Sequence, residues 1–434
     1  MLNHSYNYSN LNQMLLTLAA KSGTSVYENE VNKISNLKAN RDDKVTTLKI
    51  FKEYFDFFEF VNEGKLRPAI INNIKKLIGC KDLSLGHLFY ECPKCPNFHL
   101  TGFSCHSRFC TSCGKKYRDM RSLKIQEKLL NVGHRHFVFS VPYKLRPFFW
   151  KCRKLFDCLF KSVNEAFNIT MKQSKKDVDA GFRVGYVAFL HTSGRSLNPH
   201  PHLHVLLAER MVDIKGNHKN IHFFPFTRLK KTVMYRFLAN ANEVLKLHGD
   251  KILYREFNIL RNSIPKEYKD GFYVYGPANK NHSSHIKTAK GAANYISRYA
   301  SHPPIAESNI IDLDTLNHKV TWTYTPHDAP KKPIVVTECV YDFIGKLVRH
   351  IPDEGFHVLR YYGFYANRAS SRLVKKKKLF SKIELDKSKT SLKWRIMIKN
   401  TYKYDPLLCS CGQIMMLNFE MSYFGEHEWR DFND

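Results

Sequence analysis

Two Cys-x-x-Cys pairs, Cys92-Pro93-Lys94-Cys95 and Cys110-Thr111-Ser112-Cys113, stand fourteen residues apart near the start of the chain. Each pair is a turn that can present two thiolates to one tetrahedral zinc ion, so this stretch is expected to fold around metal as a ribbon rather than around an apolar core. Six of the eleven cysteines (Cys80, Cys92, Cys95, Cys105, Cys110 and Cys113) crowd into 34 residues, while Cys152, Cys158, Cys339, Cys409 and Cys411 are scattered. In a reducing compartment such crowding reads as a metal site and not as a disulfide framework. His99, Cys105 and His106 fall between the pairs, so the ligand set is not unique; Cys105 is a candidate further ligand. The pairs predict about one zinc per chain, held by Cys92, Cys95, Cys110 and Cys113.

The partner follows from charge. Lys and Arg number 69 against 39 Asp and Glu, a formal net charge of +30 that attracts a polyanion and opposes self-association. Nucleic acid is the expected partner. Candidate DNA contacts are Arg108, Lys115 and Lys116 beside the cysteines, Arg298, and the basic tract carrying Arg368, Arg372, Lys375, Lys376, Lys377 and Lys378. At 43% hydrophobic and 13% aromatic residues the chain has enough apolar side chains to build a core. It contains no apolar run of membrane-spanning length, and its first twelve residues are polar, so a cytoplasmic protein acting at the bacterial nucleoid is expected.

Periodicity divides the chain into a polar arm over 1–45, a helical and zinc-binding region over 46–130, a mixed core over 131–305 and a basic region over 306–434. Within the arm, Leu11, Leu15, Leu18 and Ala19 suit one short helix. In the core, strands are predicted at 134–141, 183–191, 202–208 and 271–275, with helices over 147–171, 227–247 and 287–300. That order predicts an α+β fold, an antiparallel sheet with helices packed on one face.

The strand at 202–208 carries the most informative pentapeptide, His200-Pro201-His202-Leu203-His204. Alternate side chains of a strand share a face, so His202 and His204 point together while Leu203, Val205 and Leu207 can be buried behind them. Two imidazoles converging on one ion are the expected result. His200 has the same parity, and His191 ends the preceding strand and sits opposite if the two form a hairpin. Farther on, Tyr295-Ile296-Ser297-Arg298-Tyr299 puts two phenols one helical turn apart. A phenol titrates near pH ~10 in water, so it attacks phosphorus at neutral pH only beside a cation or a base.

These motifs, with Leu190-His191-Thr192 and the segment Leu359-Arg360-Tyr361-Tyr362-Gly363-Phe364-Tyr365-Ala366-Asn367-Arg368, give the chain a resemblance to a known family over roughly residues 50 to 415. It resembles the two-tyrosine rolling-circle transposases of the HUH endonuclease superfamily, the insertion sequence 91 group. The resemblance implies His202 and His204 as ligands of Mg²⁺ or Mn²⁺, and Tyr295 and Tyr299 as nucleophiles that cut and rejoin single-stranded DNA at transposon ends and in target DNA. The eleven-residue step from His191 to His202 is similar to the three-histidine arrangement of plasmid relaxases, which implies His191 as the third ligand. Ser297 stands where the family would place Gly between the tyrosines, and Cys409-Ser410-Cys411 replaces a closing Cys-x-x-Cys pair. No Gly-x-x-x-x-Gly-Lys-Ser/Thr loop is present, so unwinding would fall to host replication or helicase factors. A relaxase or replication initiator would share the same site. A non-enzymatic zinc-containing DNA-binding protein would show affinity without a covalent adduct.

Overall fold

The computed structural model describes residues 45–105, 107, 109–171, 179–213, 217–221, 224–276, 288–300, 303–326, 329, 332–366 and 394–424. The arm over 1–44, with its expected short helix, and most of the basic tract including Arg368, Arg372 and Lys375 to Lys378 lie outside them, as does Arg108. In chain order the first elements are α1 (Thr47–Val61), α2 (Pro68–Ile78), β1 (His87–Glu91), β2 (Phe98–Gly102), α3 (Thr111–Lys128) and β3 (His134–Ser140). The middle contains α4 (Arg146–Lys151), α5 (Leu155–Thr170), β4 (Arg183–Ser193), β5 (Pro199–Val212), β6 (His218–Asn220), α6 (Phe226–His248), α7 (Lys251–Glu267) and β7 (Tyr273–Tyr275). The remainder is α8 (Ala289–Ala300), β8 (Ile310–Asp314), β9 (Lys319–Tyr324), β10 (Ile334–Cys339), α9 (Val340–Val348), β11 (Leu359–Gly363), α10 (Trp394–Tyr402) and β12 (Met416–Tyr423).

The described residues divide into two compact units, and each draws on segments far apart in sequence: those within 1–120, 305–353 and 386–434 form one, and those within 121–304 and 354–385 form the other. The first unit holds two small antiparallel sheets, β12-β1-β2 and β10-β9-β8. Its helix α1 starts where the Thr46 hydroxyl accepts from the Lys49 N–H, and its buried Phe51 and Phe55 belong to the same unit as Phe343, Ile344 and Leu347 of α9, all fully buried.

The second unit is built on an antiparallel sheet in the order β11-β4-β5-β3-β7, with β6 paired to β5. Leu203, Val205 and Leu207 of β5, together with Phe137 and Phe139 of β3, enter a large core formed with α4, α5, α6 and α7. The opposite face carries Leu206 and Ala208 of β5, Val187 of β4, Ile125 of α3, and Ala292 and Ala293 of α8. Helices therefore cover both faces, which corrects the expectation of a single helical layer. The cause is legible in β4 and β5, where runs of consecutive residues are buried, so side chains pointing to either face are covered.

Two local departures have physical causes. The helix expected over 147–171 is interrupted at Cys152, whose backbone is extended, and the break lets Phe148, Phe149, Leu155 and Phe156 all be buried in one core. Helix α7 has no counterpart among the elements expected from periodicity; Pro265 sits inside it and weakens its signature, while the Asp250 carboxylate caps its start by accepting from the Leu253 N–H at 2.7 Å. At the sheet edge, β11 comes unusually close to β4. Gly363 has a φ of +60°, and a Cβ there would stand 1.6 Å from the Val184 carbonyl oxygen, so only glycine fits.

Candidate active site and metal centres

Register places the histidines before any side chain is considered. In the β4–β5 ladder His191 lies opposite His202, and Phe189 lies opposite His204; in the β3–β5 ladder Ser140 faces His202 and Val138 faces His204. The pleat then turns His191, His202 and His204 to the face covered by α8. Ring centroids are 5.2 Å apart for His191 and His202, 4.7 Å for His191 and His204, and 5.0 Å for His202 and His204. One nitrogen from each lies within 4.8 Å of the others, a group able to hold a metal ion. His200 does not join it; its Nε2 lies 2.6 Å from the Ser140 hydroxyl.

Burial holds His200, His202 and His204 neutral. Desolvation, reinforced by the positive character of neighbouring groups, brings His202 down to about 4 and His200 to about 3, and drives His204 well below the ordinary imidazole value. A neutral ring has the free lone pair that a metal requires. Hydrogen bonds also select which nitrogen is free. His202 Nδ1 is 2.7 Å from its neighbour's carbonyl at His200, so Nδ1 carries the proton and Nε2 is left for an ion. His204 Nδ1 is occupied as well, 2.9 Å from His136 Nε2.

His136 is the residue that sequence reasoning missed. It sits on β3, buried, stacked on His204 with rings 5.2 Å apart and nearly parallel, and its Nδ1 lies 3.1 Å from the Tyr295 hydroxyl. Parity along His134-Arg135-His136 is the available signal, but no pentapeptide joins it to His202 and His204. Only the sheet order, which places β3 beside β5, makes the connection.

Tyr295 reaches this position because α8 packs Ala292 and Ala293, both fully buried, against the sheet, and methyl-sized side chains permit a close approach. The Ser122 hydroxyl of α3 donates to the Asn294 side-chain oxygen at 2.7 Å and fixes the helix beside it. Tyr299 lies one turn farther along α8, as does Arg298 between them; their side chains, like those of Lys115 and Lys116 on α3, lie outside the described residues. The other tyrosines of the motif are packed into the fold. Burial pushes Tyr361 up to about 12 and raises Tyr362, which stacks on Tyr186 at 4.8 Å. Tyr365 is buried with its hydroxyl 2.8 Å from His134 Nε2.

The cysteines form two groups, not one ribbon site. Cys80, Cys105, Cys110 and Cys113 come together, as do Cys92, Cys95, Cys409 and Cys411, with one sulfur from each residue within 4.8 Å of the rest of its set. The expected joining of Cys92 and Cys95 with Cys110 and Cys113 is not seen, because β1 and β2 carry the first pair away while Cys80 and Cys105 complete the second. In the first set Cys80 lies 3.6 Å from Cys113 and 3.7 Å from Cys110, and Cys105 lies 3.8 Å from Cys113. A zinc tetrahedron with bonds of about 2.3 Å has edges of about 3.8 Å, so these sulfurs fit zinc without rearrangement.

Residues 50–141 match a family described as "Transposase zinc-binding domain", and residues 185–372 match one described as "Putative transposase". The chain is 29% identical over 374 residues to the transposase for insertion sequence element IS801 of Pseudomonas savastanoi pv. phaseolicola, covering 83% of this chain and 86% of the relative. It is 24% identical over 299 residues to "Putative transposase y4qJ" of Sinorhizobium fredii (strain NBRC 101917 / NGR234), covering 67% and 72%. No solved structure matches it. Among the described residues no helix is long and apolar enough to cross a membrane.

Proposed function

We propose that this chain, which matches a transposase zinc-binding domain over 50–141 and a putative transposase over 185–372, is a transposase of the insertion sequence 91 type that cuts and rejoins single-stranded DNA by tyrosine transesterification of the HUH type, in a rolling-circle route. The observation that carries this reading is the line Tyr295 Oη, His136, His204, each one hydrogen bond from the next, ending at the three-histidine group. The Tyr295 oxygen attacks the phosphodiester while the phenol proton passes to solvent, a 5′-phosphotyrosine forms as the P–O3′ bond breaks, and the departing 3′-oxygen takes up a proton from solvent. A free 3′-hydroxyl reverses the step, and the covalent bond conserves the energy for rejoining. Tyr299, on the same helix, is assigned the second cleavage. The helical and zinc-binding region over 46–130 and the basic region over 306–434 are assigned to holding DNA, and 131–305 to the chemistry.

A divalent ion here would polarise the scissile phosphate and offset charge in the transition state. Three imidazole nitrogens with no carboxylate beside them among the described residues suit Mn²⁺ better than oxygen-seeking Mg²⁺. With His204 Nε2 kept for the ion, its Nδ1–H donates to His136 Nε2, and the remaining His136 Nδ1–H then donates to the Tyr295 oxygen. His136 thus stabilises the phenolate and does not accept its proton. We expect His136→Ala to slow cleavage about 10–100-fold and to raise the Mn²⁺ concentration needed for half-maximal rate. An unchanged Mn²⁺ dependence at full rate would remove His136 from the site.

The reading is tested by incubating the protein with a labelled single-stranded element end. Label resistant to SDS is expected with Mn²⁺, lost with EDTA and restored by Mn²⁺ at lower concentration than by Mg²⁺. Tight DNA binding with no covalent label under any metal would leave a zinc-containing DNA-binding protein.

A further inference from the structure

The set Cys92, Cys95, Cys409 and Cys411 bridges residues more than three hundred positions apart, and Cys409 and Cys411 lie beyond both matched family regions. Cys92 Sγ is 3.4 Å from Cys411 Sγ, and Cys95 Sγ is 3.4 Å from Cys409 Sγ and 3.6 Å from Cys411 Sγ. These separations approach the about 3.8 Å edge of a zinc–sulfur tetrahedron and are far beyond a disulfide bond of about 2.05 Å. Both loops also have the form of metal-holding turns. The backbone N–H of the residue two positions on donates to each sulfur: Lys94 to Cys92, Asn97 to Cys95, Cys411 to Cys409 and Gln413 to Cys411. Asn97 adds a side-chain donor to Cys409 Sγ at 3.4 Å and to the Ser410 hydroxyl at 2.9 Å, tying one loop to the other. The second loop is closed by Gly412, with a φ of +82° that glycine adopts without strain, and the Gly412 N–H donates to the Cys409 carbonyl at 2.9 Å.

We propose that Cys92, Cys95, Cys409 and Cys411 hold a second structural zinc ion, separate from the one at Cys80, Cys105, Cys110 and Cys113, which clamps the 409–411 loop to the 92–95 loop. The clamp acts where β12 pairs with β1, so the metal and the strand ladder secure the same segment. The Cys-x-Cys turn brings both of its sulfurs to the first loop, Cys409 beside Cys95 and Cys411 beside Cys92 and Cys95. Cys411 is exposed and Cys95 partly so, whereas three of the four sulfurs of the other set are buried. The clamp ion is therefore the first to be lost.

The full-length protein, purified under reductant, is expected to contain two zinc ions per chain, and the double variant Cys409→Ser/Cys411→Ser one. One zinc in the unmodified protein, or two in the variant, overturns the proposal. So does a non-reduced intact mass showing two disulfides with a single zinc. A second measurement does not depend on the variant folding. In the zinc-loaded wild-type chain, a thiol reagent added with a chelator should label Cys92, Cys95, Cys409 and Cys411 together in a fast phase. Cys80, Cys105, Cys110 and Cys113 should follow in a slower one. Labelling of Cys409 and Cys411 at the full rate before chelator is added would contradict the clamp.

Discussion

Replacing His202 or His204 with alanine is expected to lower strand cleavage on the order of 10³-fold or more while leaving most of the DNA affinity. An ion held by the three histidines would contribute several kcal/mol to the transition state, at about 1.4 kcal/mol per tenfold in rate, and two of the three come from this one strand. Affinity instead rests on many Lys and Arg side chains, with a net charge of +30 behind them. Both rings are buried and their removal leaves cavities, so the folded state is checked by melting temperature alongside the rate. A folded variant that cleaves at the parental rate would disprove the assignment of the metal to these histidines. His191→Ala is expected to be similarly severe, since His191 faces His202 directly across the ladder. His200→Ala should be mild by comparison, because His200 is turned to Ser140.

The second large effect belongs to the tyrosines. Tyr295→Phe keeps the ring and its edge-on contact with His136, whose centroid is 4.9 Å away, and removes only the oxygen, so folding should be preserved. Loss of a nucleophile costs roughly 10⁴-fold or more in rate, which puts adduct formation through that residue below detection. We expect Tyr295→Phe and Tyr299→Phe each to stop transposition in cells. One single variant can still make one cut in vitro, because a single phenol suffices for it. The Tyr295→Phe/Tyr299→Phe variant should make none, as read by SDS-resistant label. A double variant that transposes would show that neither phenol is required.

Much of this site is legible in the order of its residues. Period-two alternation through His202-Leu203-His204-Val205 assigns two rings to one face and two aliphatic chains to the other, and the pleat does the same. The hairpin that brings His191 to His202 depends on strand adjacency, which a short loop marked by Gly194 and Pro199 makes local. His136 cannot be found that way. It meets His204 only through the pairing of β3 with β5, strands far apart in sequence. The cysteines behave alike: spacing suggests that neighbouring pairs share an ion, yet each turn finds its partners at long range, Cys110 and Cys113 at Cys80, and Cys92 and Cys95 at Cys409 and Cys411. Local motifs bring out candidate ligands but leave their grouping open, since grouping is set by strand order.

The central claim is that a phenol on α8 becomes bonded to DNA phosphorus, and proteolysis of the SDS-resistant adduct followed by mass spectrometry tests it most directly. The account predicts the nucleotide on the peptide that contains Tyr295 or Tyr299, with none on these residues in the corresponding Phe variants. A nucleotide mapped to Tyr361 or Tyr362, whose hydroxyls burial keeps protonated, would contradict it.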